Sequence, residues 1–184
     1  MKLEEMSLED LWELFPITFT DSNDDFLNVY LKEEGILKSI LGNLIKRISH
    51  IGSTSIKNIK AKPIIDILIE IDLDNKDIVK EKLLNSSYIL MSESLDKISF
   101  NKGYTINGYS DNVFHIHIKK YGDCDELYFR DYLNDNLDSC REYEKLKLEL
   151  FNKYKPNRDL YTDGKKEFVT KIVNLAKEKY KDRY

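Results

Sequence analysis

Cysteine is scarce in this chain. Cys124 and Cys140 are the only two among 184 residues. Two are too few for a disulfide scaffold or a four-thiolate zinc site, so both are read as reduced thiols of an intracellular protein. Long hydrophobic runs are also missing. No apolar stretch approaches membrane-spanning length, and the opening Met1-Lys2-Leu3-Glu4-Glu5-Met6 is acidic and has no secretory core. The expectation is a cytoplasmic protein with no membrane partner. Excess charge of one sign is absent too. The net charge is −4 although 34% of residues are charged, which argues against a dedicated nucleic-acid binder while leaving room for a local basic patch. What is present is ordinary core material. An apolar content of 41% lets a chain of this length bury a real core as one domain. We divide it into an N-terminal extension (1–25), an α/β core (26–122) and C-terminal helices (123–184).

Ser7, followed by Asp10 and an apolar run, predicts a short capped helix ending near Pro16, then a break over 21–25. Apolar residues from Phe26 to Ile48 step by three and four. They predict an amphipathic helix that Gly35 can split, its end running as a strand into Gly52. Residues 64–71 read as a strand covered on both faces, because its apolar positions are continuous rather than alternating. A helix over 74–84 follows, then strands over 88–91, 98–101 and 113–118, with a turn at Asn107-Gly108. After Gly122 three helices are expected. The first covers 125–133, the second is capped by Asp138 and closed by Pro156, and the third is capped by Thr162. The fold class is α+β.

The chemistry concentrates in two stretches. His50-Ile51-Gly52-Ser53-Thr54-Ser55 is a turn whose hydroxyls and backbone donors can hold phosphate oxygens. An ordinary capped turn explains the same tetrapeptide. Asp66 stands inside the apolar run from Pro63 to Ile71, where a charge needs a metal, a cation or backbone donors. Glu70 shares its face but lies roughly 13 Å away along the strand, too far to share a metal, and reads as a strand-end charge. His115 and His117 share a face of another strand. A carboxylate with two imidazoles suits Zn, Mn or Fe better than Mg. The histidines can equally serve as acid and base or as phosphate donors. Lys57, Lys60, Lys62 and Lys102 lie nearby and can neutralise a polyphosphate; a solvated basic face is the plainer explanation.

Gly-Ser, twelve residues and then an acid in an apolar strand resembles the nucleotidyltransferase superfamily signature. The wider set resembles the GrpB family more closely. It comprises the 50–55 turn, Ala61-Lys62-Pro63-Ile64-Ile65-Asp66, Ser99-Phe100-Asn101-Lys102-Gly103-Tyr104, His115-Ile116-His117, Phe129-Arg130-Asp131-Tyr132-Leu133, and Tyr161-Thr162-Asp163 with Lys165. The resemblance runs from about residue 26 to the C-terminus. It implies a nucleotidyltransferase-like fold, with a small mixed sheet, helices on one side and a helical segment after it. Fusion of some family members to dephospho-coenzyme A kinase hints at nucleotide or coenzyme A metabolism. The resemblance also implies a departure. The position two residues after the first acid, which normally carries a second metal-binding acid, is Leu68, and the strand expected to supply a third carries His115 and His117.

The expected function is therefore a protein that binds a nucleotide or another phosphorylated small molecule, with nucleotidyl transfer to a small acceptor as its reaction. Gly52, Ser53, Thr54, Lys62, Lys102 and Arg130 are the phosphate-binding candidates. Asp66, His115 and His117 are the catalytic candidates and the ligands for a divalent metal (Mg, Mn or Zn). Two alternatives stand beside it. One is a non-catalytic regulatory module with a degenerate metal site. The other is a metal-dependent hydrolase using Asp66, His115 and His117.

Overall fold

The computed structural model describes residues 5–20, 25–155 and 157–184. The expected break at 21–24 and the stop at Pro156 lie outside them. Helix α1 (Leu8–Leu14) begins with the expected capping box: Asp10 N–H donates to Ser7 Oγ at 3.1 Å and Ser7 N–H to Asp10 Oδ2 at 3.3 Å. Helix α2 (Phe26–Leu41) runs through Gly35 without a break. Gly35 is exposed, so its missing side chain costs propensity but no packing. Gly42 ends the helix at φ 55.

Five strands follow: β1 (Arg47–Ile51), β2 (Ile64–Ile71), β3 (Ile89–Glu93), β4 (Lys97–Thr105) and β5 (Gly108–Lys120). Their order across the sheet is β1-β2-β5-β4-β3. The β2–β5 pair is parallel and the other pairs are antiparallel. Helix α3 (Lys76–Leu84) connects β2 to β3. Strands β4 and β5 extend well beyond the apolar runs that announce them, because together they form one long hairpin whose tip reaches the N-terminal segment.

Both faces of β2 are covered, as its continuous apolar pattern predicts, so helices occupy both sides of the sheet rather than one. Ile65, Ile67, Ile69 and Ile71 pack with α2 and α3 and are at most 2% exposed. Leu68 packs on the opposite face with Ile51, Leu127, Tyr128 and Ala176. Burying one such side chain is worth about 1.5–3 kcal/mol. A one-residue slip would lift four isoleucines out of the first core and drive Asp66 and Glu70 into it, so the register is strongly fixed.

Among the described residues four helices cover the second face, not three. They are α4 (Asp125–Asp135), α5 (Leu137–Tyr154), α6 (Arg158–Asp163) and α7 (Lys166–Lys179). Asn136 occupies the N-cap of α5, placing Asp138 inside its first turn. Thr162 lies inside the short α6, and α7 starts after Lys165. The segment before α2 joins the same body. Thr20 and Ala61 exchange backbone hydrogen bonds at 2.8 and 3.0 Å, and Phe15 packs on Tyr104 and Tyr109. No helix among the described residues is long and apolar enough to cross a membrane.

Candidate functional site

Strand β1 delivers the Gly-Ser turn directly against Asp66, since Ile51 is the register partner of that residue. Gly52 follows at φ 70, and a Cβ there would stand 2.2 Å from Asp66 Oδ2. Only glycine both adopts that backbone and leaves room for the carboxylate. The parallel pairing of β2 with β5 sets His115 beside Asp66 and His117 beside Leu68. His115 Nδ1 lies 3.3 Å from Asp66 Oδ1 and His117 Nε2 3.6 Å from the same oxygen. Burial works against the charge of Asp66, but the bonding and charge of His115 and then His117 outweigh it. They hold the carboxyl well below the usual range. The far nitrogen of His115 meets the Tyr104 hydroxyl at 2.7 Å, whereas His117 Nδ1 is buried with no hydrogen-bond partner.

A cavity of about 350 Å³ opens beside this group. Ser53, Asp66 and both histidines line it, together with Tyr104, Tyr109, Tyr161, Phe19 and four cations: Lys62, Lys147, Arg158 and Lys165. Lys147 is only 2% exposed and donates to Ser53 Oγ at 3.3 Å and to the Lys60 carbonyl. Lys62 and Lys165 both stand 4.5 Å over the Tyr161 ring. Arg158 donates to the Tyr109 hydroxyl at 2.8 Å. Among the described residues no carboxylate lies within 4.0 Å of any of these four side chains. Burial, with Lys165 and Arg158 adding to it, pushes Lys62 down to about 7. Burial and then Lys165 push Lys147 down to about 8. Burial likewise lowers Lys165. The protein is holding cations where they are hard to keep charged, which favours an anion that would charge them fully.

The structure brings Ser53, Lys62, Asp66, His115 and His117 together at this cavity, with Gly52 directly against Asp66. Three other candidates lie apart. The Thr54 hydroxyl donates to the Ile64 carbonyl at 3.2 Å and meets His50 Nε2 at 2.9 Å, so it ties the turn to β2. His50 itself points to the opposite face, where it stacks on Tyr30 and burial lowers its pKa to about 4. Arg130 is spent on the His50 carbonyl at 2.9 Å, the Tyr184 hydroxyl and Asp131. Lys102 lies on the α2 face in a bidentate pair with Glu33, both contacts 2.8 Å. A register shift between Lys102 and Tyr104, with Gly103 at φ 92, explains why two residues of equal parity face opposite ways: the bulge turns Tyr104 toward His115.

Lys147 and Arg158 escape a motif search. Lys147 did leave a trace: four residues after Tyr143 and three before Leu150, it occupies the buried stripe of α5.

A second cavity, about 390 Å³, meets the first across Asp66 and His117. Its lining is more apolar, with Ile51, Phe129, Val169 and Val173, and carries Thr170, Asn174 and the acids Asp125 and Glu126 at its edge. Those two acids are paired with Lys177 and Lys119.

The donor set does not fit a pair of magnesium ions. Such ions demand oxygen ligands in near-octahedral array, and among the described residues Asp66 is the single carboxylate lining this cavity. Leu68, at the second acid position, is fully buried. Glu70 is no substitute and is not merely a strand-end charge: it is 0% exposed and closed off by Arg47 and the Gly122 N–H. His117 Nδ1 lacks the partner that usually orients a ligating imidazole. Among the described residues no group of three or more His, Cys, Asp or Glu is arranged to hold a metal ion.

Comparison with known proteins agrees with this architecture. The family model described as GrpB protein matches residues 16–175. The chain is 36% identical to the glutamate-rich protein GrpB of Alkalihalophilus pseudofirmus over 159 residues, covering 83% of this chain and 91% of that one. It is 32% identical to UPF0157 protein YqkA of Bacillus subtilis, spanning 88% of this chain but only 47% of that protein. The crystal structure of conserved protein GrpB from Enterococcus faecalis superposes with a TM-score of 0.77 at 28% identity, covering 89% of this chain and 99% of that one. The Cid1 poly(U) polymerase, in a structure with MgGTP bound, gives a TM-score of 0.51 at 12% identity, covering 80% of this chain and 47% of that one; this likeness is one of fold.

Proposed function

This chain belongs to the GrpB family and has a nucleotidyltransferase-like fold, and from that premise we propose that it binds a nucleotide or another phosphorylated small molecule in the cytoplasm. One observation carries the reading: four cations face a single cavity beside Ser53 and Asp66 with no carboxylate partner among the described residues. Uncompensated charge of one sign in a half-buried cleft is costly to the fold and is characteristic of an anion site. Lys62, Lys147, Arg158 and Lys165 would take the phosphates, with the Ser53 hydroxyl beside them. The second cavity would take the uncharged part of the ligand or an acceptor, so that Asp66 and His117 stand between the two compartments. Two buried free thiols suit a reducing compartment.

Melting the purified protein against nucleoside triphosphates, coenzyme A precursors and inorganic pyrophosphate tests this. A ligand at a hundred times its dissociation constant adds about 2.7 kcal/mol, or roughly 5–10 °C for a chain of this size. Unchanged melting with every one of them would sink the reading.

A second reading, a ligand-binding module that does not transfer nucleotidyl groups, is favoured by Leu68. Its buried side chain removes the oxygen ligand on which a two-metal transfer depends. Incubation of a bound triphosphate with candidate acceptors decides between them, because transfer releases pyrophosphate and binding alone does not.

A further inference from the structure

We infer that the cationic cavity takes its polyphosphate as the metal-free anion, with the lysines and the arginine standing where divalent ions would stand in a two-metal site. The inference rests on the phosphate-binding reading above and goes past it, to the ionic form of the ligand.

Three observations carry it. The first is the balance of charge. Among the described residues Lys62, Lys147, Arg158 and Lys165 face one carboxylate, a surplus of three positive charges when all are protonated. A magnesium complex has already lost much of its negative charge. It would leave that surplus uncompensated and press a divalent cation against the lysines.

The second is the state of Asp66. Both imidazoles address one of its oxygens, at 3.3 and 3.6 Å, so its charge is already engaged by the protein. Leu68 offers no oxygen, and Glu70 is sealed by Arg47 and Gly122.

The third is preorganisation. Lys147 cannot withdraw to solvent, as a surface lysine would. It is buried on α5 and fixed by the Lys60 carbonyl and Ser53 Oγ. A cation fixed in advance at the phosphate-facing serine does the work of a bound ion without being recruited.

Titration calorimetry of the full chain with inorganic tripolyphosphate, once in EDTA and once in excess magnesium, tests the inference. We expect binding in EDTA and at least about tenfold weaker binding with magnesium, which withdraws the free anion. Lys147→Met should weaken the EDTA binding by about tenfold or more. Asp66→Asn should tighten it, because the carboxylate repels the anion it faces. Binding that needs magnesium, or that weakens in Asp66→Asn, overturns the inference and leaves the phosphate site standing. No binding under either condition overturns both. If Asp66→Asn does not fold, the comparison of EDTA with magnesium on the unaltered protein decides alone.

Discussion

Asp66 and Glu70 stand on one face of one strand, four residues apart, and the protein treats them in opposite ways. Around Glu70 every charge is answered. Arg47 closes it by two contacts, the Gly122 N–H donates at 2.8 Å, and beyond it Lys119 is matched by Asp123 and Glu126. Around Asp66 the balance is broken: among the described residues four cations and two histidines share one cavity with a single carboxylate. The first arrangement is architecture. The second, on the proposed reading, is a site whose counter-charge comes from outside. A buried acid alone does not separate the two; the partners do.

The comparison can be broken in order of expected size. Arg47→Met leaves Glu70 buried and unpaired and should cost about 3–5 kcal/mol in urea denaturation. A loss below about 1 kcal/mol would mean that the Glu70 end is not structural. Gly52→Ala forces a methyl group into Asp66 Oδ2 at a backbone angle alanine rarely adopts. It should cost roughly 1–3 kcal/mol and abolish the melting shift given by pyrophosphate. Lys165→Met should act the other way. Removing one of the crowded cations stabilises the free protein by about 0.5–1 kcal/mol while weakening pyrophosphate binding. If it destabilises the fold, the cavity's cations are not in conflict.

The smallest effect is in protons. In the free protein Lys62 and Lys147 titrate near 7 and 8, below the ordinary lysine value of 10.5. A bound polyanion raises both, so binding at pH 7.5 should take up protons, read as a difference in binding heat between buffers of different ionisation enthalpy. Near pH 6 both lysines are already charged and the uptake should vanish. Stability carries the same sign. Between about 7 and 10.5 the unfolded chain holds more protons at Lys62, so its contribution to stability rises with pH across that window.

How much of this was legible in the sequence differs between the two halves of the site. The turn at Gly52-Ser53 and the acid at Asp66 come from neighbouring strands, so spacing and strand pattern sufficed to read them. The register of β2 against β5 then brought His115 and His117 beside them. The cations were harder. Lys147 and Arg158 reach the cavity from helices whose placement depends on how the C-terminal segment folds back, and no local pattern encodes that. Lys102 misled for the converse reason. It stands near the site in the chain, but in the regular alternation of β4 it shares the face of Ile98 and Phe100, where Glu33 claims it. Thr162 and Asp138 look like helix caps, yet the chain starts those helices a few residues away, at Lys165 and Asn136.

The register shift at Gly103, where Ser110 to Val113 bulge on β5, sets a modular boundary. Beyond it, Tyr104 and Tyr109 pack on Phe15 and line the cationic cavity, while just before it Lys102 turns to α2. Anyone transplanting this hairpin between relatives, or shortening it, should cut on the root side of Gly103. A graft made at the turn leaves Tyr104 and Tyr109 behind, and with them the tip's share of the cavity.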